Sequence, residues 1–190
     1  MINFLLLILI AYLIGSLPTS LLIGKIFYKK DIRTIGSGNA GATNTLRNFG
    51  MVPALVVLIM DFLKGFIACN LSQQTEIQFF LLFSVIIGHV YSVFSKFKGG
   101  KGVSTTLGCF FGLNPLFILI PISVYLLVFL KTKISSISSI FSIFSLTASG
   151  LLFNNDIIIS LMIILVCPLI LWTHRENIDR IMEGKEKKLF

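Results

Sequence analysis

The sequence predicts an all-α integral membrane protein of seven transmembrane helices, and three observations carry that fold class. Of its 190 residues, 55% are hydrophobic and only 13% charged, about half the charged share of a soluble domain. The mean hydropathy is +0.94. Long apolar runs without a charge recur along the chain, and about 20 helical residues suffice to cross a bilayer core.

The runs give helices over residues 2–27, 51–71, 77–97, 102–113, 115–130, 135–153 and 157–173, bounded by Gly, Pro, Asn or charge. The first has no basic lead and is too long for a cleaved secretory signal, and Lys25, Lys29 and Lys30 close it. It is therefore read as a retained span. The second carries Asp61 and Lys64 three residues apart. An intramembrane pair of this kind is a functional candidate, and here it is read as a packing or loop-anchoring ion pair. His89, near the end of the third, is read as a hydrogen-bonded structural histidine. The fourth run is short or broken: its 12 residues reach about 18 Å, against a core of about 30 Å. Such a helix is tolerated at membrane depth where protein or water surrounds its ends. The remaining three complete a single domain over residues 1–190.

Charge sets the expected orientation. With the N-terminus outside, every Lys and Arg except Lys64 falls on one side, while the opposite loops carry Glu76 and Asp156 and no basic residue. Lys and Arg stay cytoplasmic, so the C-terminus is inside. The net charge of +8 then reflects topology and attraction to anionic lipid, and no nucleic-acid partner is expected. Cys69, Cys109 and Cys167 form no C-x-x-C pair, so neither a zinc site nor a disulfide framework is supported, and no metal or cofactor is expected.

Three polar segments share that cytoplasmic side. DIRTIGSGNAGATNTLRNFG, residues 31–50, offers glycines, Ser37, Asn39, Thr43, Asn44 and Thr45 ahead of Arg47. Exposed amides among glycines can hold an anion, a helix starting near Ala42 would add its N-terminal N–H groups, and Arg47 suits bidentate phosphate binding. A flexible solvated loop is the plain alternative. FKGGKGVSTTLG, residues 97–108, fails the nucleotide-loop spacing, because Ser95 stands five residues before Gly100 and Gly102 follows Lys101. It still brings Gly99, Gly100, Lys98, Lys101, Ser104 and Thr105 to a helix start, where Lys101 is the better candidate; Lys96 and Lys98 fit the topology rule alone. LWTHRENIDRIMEGKEKKLF closes the chain. If the last helix continues, His174 and Asn177 share a face, His174 as proton acceptor or phosphate ligand, Asn177 holding a hydroxyl. A polar helix end is the plain alternative there. Two phosphate-bearing ligands meeting in a membrane suggest transfer chemistry on a lipid precursor.

Five stretches, SLPTS, GSGNAGATNTLRNFG, MDFLKG, GHVYSVFSKFKGGKGVSTTLG and HRENIDR, come in the order of the bacterial acyl-phosphate-dependent glycerol-3-phosphate acyltransferase family (PlsY), which the chain resembles over nearly its whole length. The resemblance implies a seven-span, N-out enzyme of the bacterial plasma (inner) membrane with a cytoplasmic active site. Its partners would be glycerol 3-phosphate, acyl phosphate and membrane lipids. The implied reaction moves an acyl group to the 1-hydroxyl of glycerol 3-phosphate, giving lysophosphatidate and phosphate in phospholipid synthesis. By motif, Ser37 and Arg47 would hold glycerol 3-phosphate, and Gly38 and Asn39 stand with them as substrate-binding positions. Gly99, Gly100, Thr43, Asn44 and Ser104 would cradle the acyl-phosphate head. Lys101, His174 and Asn177 would be catalytic and Glu176 structural. A transporter or binding module for phosphorylated metabolites is the competing class, disfavoured because no internal repeat is evident.

Overall fold

A computed structural model describes residues 2–189, which contain helices, turns and loops and no strand. The chain divides into two compact units, Met1–Leu113 and Asn114–Phe190.

In the first unit, α1 (Ile2–Ser16) and α2 (Thr19–Phe27) are separated at Leu17–Pro18, where a single continuous helix was expected. Proline has no N–H and its ring crowds the preceding turn. Side-chain donors from elsewhere serve the carbonyls at the break: Ser92 Oγ donates to Ser16 O, and Lys64 Nζ joins Thr19 N in donating to Leu17 O. Next come α3 (Ala42–Phe49) and α4 (Met51–Cys69), divided by Gly50. After α5 (Thr75–Val90) the chain leaves the helix seven residues earlier than the sequence suggests. The reason is local. Gly99 N and Gly100 N donate to the Val90 and His89 carbonyls at 2.9 and 3.2 Å, and Lys96 and Phe97 adopt left-handed backbone, so the chain folds back on the helix end. The helix α6 (Val103–Leu113) is as short as expected.

α1 packs on α5 and α4 on α6, each through glycines on both sides. A Cβ on Gly15 would strike the Val85 carbonyl oxygen, and one on Gly88 that of Tyr12; Gly65 and Gly108 face Thr105 and Phe62 oxygens in the same way. Small residues let helix backbones touch, which is how helices associate where lipid removes the hydrophobic drive.

The second unit opens with a 3-10 turn, Pro115–Ile118, then α7 (Leu119–Thr132), α8 (Ser135–Phe153), α9 (Ile157–Thr173) and α10 (Arg175–Met182). The buried side of α8 carries five serines, Ser135, Ser136, Ser138, Ser139 and Ser142, followed by Ile143 and Leu146, while Phe141, Phe144, Leu151 and Leu152 are exposed. Ser142 Oγ donates to the Pro121 carbonyl at 2.9 Å, and an apolar exterior suits lipid. Asp156 starts α9 by accepting from the N–H groups of Ile158 and Ile159, the usual N-cap.

Among the described residues, five stretches are long and apolar enough to cross a bilayer: Asn3–Phe27, Met51–Cys69, Thr75–Ser95, Pro115–Thr132 and Ser135–Phe153. A sixth results if Ile157–Thr173 and Arg175–Met182, bent by 62°, count as one; Val103–Leu113 is apolar but shorter. The protein is thus an all-helical, multi-pass integral membrane protein.

Candidate active site

The first polar loop is organised by one side chain. Asn44, 1% exposed, lies in the first turn of α3. Its Nδ2 donates to the carbonyls of Ile32, Ile35 and Asn39 at 3.0, 3.0 and 3.1 Å. Its Oδ1 accepts from Ser37 N at 2.9 Å and from Asn48 Nδ2 at 3.0 Å. All the bonding capacity of the amide is used inside the loop, so Asn44 shapes the loop and sets the backbone of Ser37, whose side chain is exposed. Gly38 turns the chain with φ of 72°, a conformation open to glycine. Thr43 and Arg47, both half-buried, stand four residues apart on one face of α3, and Asn39 is half-buried beside them in sequence.

The second polar loop is held by the end of α5. A Cβ on Gly99 would meet the His89 carbonyl oxygen, and one on Gly100 the His89 Nε2, with the Ala40 carbonyl 3.0 Å away. The two loops therefore meet at Ala40 and Gly100. The N–H groups of both glycines are engaged with α5, so what this turn offers a ligand is close approach, with Lys101 half-buried next in the chain. Ser104 Oγ donates to the Leu58 carbonyl of α4 at 2.9 Å. Behind the loops lies a small cavity lined by Leu17, Ala40, Asp61, Lys64, His89 and Gly100 among others. Lys64 Nζ is 2.6 Å from Asp61 Oδ1, and both are 4% exposed. His89 Nδ1 lies 3.8 Å from the same carboxylate. The intramembrane pair thus anchors the α1–α2 break and backs the second loop.

Sequence reasoning passed over Arg33. Its Nη1 donates to the Ser95 carbonyl at 2.6 Å while Nε and Nη2 bind the Asp31 carboxylate at 3.0 and 2.7 Å, tying the first loop to the second. A D-x-R pair in a basic loop gives no pattern that separates such a bridge from solvated charge. The hydrogen bond from Arg33 pulls the Asp31 carboxyl from the usual 3.8 down to about 2, against the opposing effect of burial. A pKa lowered by folding adds stability that is complete above the ordinary value and lost as pH falls through the folded one. The expected result is a stability loss in detergent between pH 4 and about 2 that Asp31→Asn flattens. Equal slopes for the two proteins in thermal melts across that window would count against the bridge.

In the second unit, His174 lies at the corner between α9 and α10 rather than within a continuous helix, so the expected i, i+3 face is replaced by a bend. His174 and Asn177 are nevertheless adjoining and buried, 2% and 6% exposed, and Asn177 N donates to the His174 carbonyl at 2.8 Å. His174 Nδ1 lies 2.9 Å from the Ile170 carbonyl. A carbonyl only accepts, so Nδ1 carries a proton, which leaves Nε2 as the nitrogen that can accept one. Asn177 Nδ2 donates to Glu186 Oε1 at 2.6 Å. Glu176 is exposed. Burial would raise the Glu186 carboxyl, but hydrogen bonds from Ser136, Arg180 and Asn177 together outweigh it and hold it below its ordinary value.

The first unit thus presents a hydroxyl, a guanidinium and an ammonium on two joined loops, a set suited to phosphate groups. The second presents an imidazole and an amide. A family model described as glycerol-3-phosphate acyltransferase matches residues 5–184. Glycerol-3-phosphate acyltransferase 2 of Bacillus anthracis is 43% identical over 187 residues, covering 96% of this chain and 97% of that protein. The glycerol-3-phosphate acyltransferase of Listeria monocytogenes serotype 4a is 40% identical over 194 residues, with 99% and 98% covered. The crystal structure of PlsY, an integral membrane glycerol 3-phosphate acyltransferase, in its glycerol 3-phosphate form aligns with a TM-score of 0.93 at 35% identity, over 98% of this chain and 95% of that one. Its lysophosphatidic acid form gives 0.90. With both loops and the His174 corner inside the matched residues, the chain belongs to the glycerol-3-phosphate acyltransferase family, integral membrane acyltransferases of phospholipid synthesis.

Proposed function

We propose that this acyltransferase uses acyl phosphate as donor and the 1-hydroxyl of glycerol 3-phosphate as acceptor, on the cytoplasmic face of the bacterial plasma (inner) membrane. The observation that carries the reading is the junction of the two polar loops at Ala40 and Gly100, which groups two phosphate-type loops in one unit. With α6 and α9 counted beside the five long stretches, the chain crosses seven times as one domain, N-terminus outside and C-terminus inside, a reading that the Lys and Arg distribution supports.

Ser37 and Arg47 hold the phosphate of glycerol 3-phosphate, with Gly38 and Asn39 in the same loop; Thr43, Ser104, Gly99 and Gly100 border the acyl-phosphate head, and Lys101 neutralises charge on the phosphates. The 1-hydroxyl oxygen attacks the acyl carbon, and the carbon–oxygen bond to phosphate breaks. Inorganic phosphate leaves with the electron pair. Acyl phosphate is already activated, so the protein contributes positioning and charge stabilisation. The hydroxyl proton passes to Nε2 of His174 or to the substrate's own phosphate.

Purified protein given glycerol 3-phosphate and palmitoyl phosphate is expected to release phosphate and form lysophosphatidate in equal amounts. No release across detergents and chain lengths would favour transport or binding of phosphorylated metabolites. His174→Ala is expected to lower kcat about 10²–10⁴-fold if the imidazole is the base. Unaltered turnover would leave the substrate phosphate as proton acceptor.

A further inference from the structure

We propose that Glu186 is a positioning residue for acyl transfer: it locks the Asn177 amide so that Asn177 Oδ1 accepts a hydrogen bond from the 2-hydroxyl of glycerol 3-phosphate. The inference rests on the reading above, in which Asn177 meets that substrate.

Glu186 sits in GKEKKLF, a tail that reads as solvated charge and begins where the family match ends, at residue 184. Its side chain is nevertheless only 7% exposed. Oε1 accepts from Ser136 Oγ at 2.7 Å and from Asn177 Nδ2 at 2.6 Å, and Oε2 accepts from Arg180 Nε at 2.7 Å. Leu189 N donates to the Lys133 carbonyl at 2.8 Å, which fixes the tail beyond it. The carboxylate is therefore held by three donors on α8 and α10.

An ionised carboxylate only accepts, so it fixes which end of the Asn177 amide faces it: the NH₂ group. Asn177 Oδ1 is then turned to the other side, where it is buried and has no hydrogen-bond partner among the described residues. A buried acceptor of this kind calls for a donor. In the proposed reaction the 1-hydroxyl proton leaves during attack, so the 2-hydroxyl is the donor the substrate can keep. Without Glu186 the amide can rotate by half a turn and present NH₂ in place of oxygen.

The test compares glycerol 3-phosphate with 1,3-propanediol monophosphate, which lacks the 2-hydroxyl, as acceptors for palmitoyl phosphate. Glu186→Ala is expected to lower kcat/KM for glycerol 3-phosphate about tenfold more than for the analogue, the size of one ordinary hydrogen bond. Glu186→Gln keeps a carbonyl acceptor for Asn177 and is expected to recover most of the loss. In an Asn177→Ala background, Glu186→Ala is expected to add nothing. Equal losses on both acceptors, or a full additional loss in that background, would show a structural tail and overturn the proposal. If Asn177→Ala alone leaves a folded enzyme with unchanged kinetics, the assignment of Asn177 fails, and the proposal with it. A loss for Asn177→Ala with none for Glu186→Ala removes Glu186 only.

Discussion

Asn44→Asp is expected to leave the enzyme folded in its spans but at least about a hundredfold less active, with KM for glycerol 3-phosphate raised. The carbonyls of Ile32, Ile35 and Asn39 lose their common donor and face a negative charge instead. A buried polar group left without its partner costs about 1–3 kcal/mol, and two N–H donors vanish together. That sum is large for a loop with little apolar burial beyond Leu21, Ile32 and Ala40. Because Ser37 N bonds to the same side chain, the residue proposed to hold the substrate phosphate is released with the loop. Asn48→Ala, which removes one donor to Asn44 Oδ1 and one to the Asn44 main-chain carbonyl but leaves the three carbonyls their donor, is expected to be mild. Michaelis constants near wild type for Asn44→Asp would defeat this account.

The second large effect lies at the α4–α6 crossing. Gly65→Leu is expected to destroy activity and lower thermal stability in detergent by several degrees or more, because its Cβ meets the Thr105 carbonyl and its remaining atoms have nowhere to go. Overpacking typically costs about 1–3 kcal/mol and sometimes more, and here the obstacle is backbone on both sides. Pushing α6 away from α4 also breaks the Ser104 to Leu58 bond and displaces the start of α6, where Lys101 sits. Gly108→Leu is expected to act alike from the facing helix, where Phe62 is the obstacle. A melting temperature unchanged from wild type for both variants would show that the crossing can relax.

Much of this was legible in the chain itself. Hydropathy and breakers located the last two long helices, 135–153 and 157–173, to the residue, because Ile134, Asn154 and Asp156 stand in extended backbone at their ends. The helix ends that escaped are those set by distant partners. Pro18 is visible in the sequence, but the break there depends on Lys64 and Ser92 supplying donors. The helix of the third span stops at Val90 because Gly99 and Gly100 return to it, a contact no periodicity records. At His174 an apolar run meets a charged one, and the 62° bend between them is invisible to a pattern of residue types. Among candidate site residues, Arg47 and Lys101 stood out because charge in glycine-rich loops is rare in an apolar chain. Asn44 was found but its internal role was not, since an amide facing substrate and an amide facing three carbonyls look the same in sequence. Glu186 was hidden among lysines.

The break in the first span also orders the biogenesis of the protein. The Ser16 carbonyl is served by a residue synthesised 76 positions later, and an unserved carbonyl in hydrocarbon costs several kcal/mol; the Leu17 carbonyl has Thr19 N close by and gains Lys64 Nζ 47 positions later. The nascent first span therefore reaches the membrane with the Ser16 acceptor unmet. Leu17 gains its second donor once α4 has been made, and Ser16 its donor only once α5 has been completed and passed. Synthesis order becomes assembly order, and the first helix to leave the ribosome is among the last to settle.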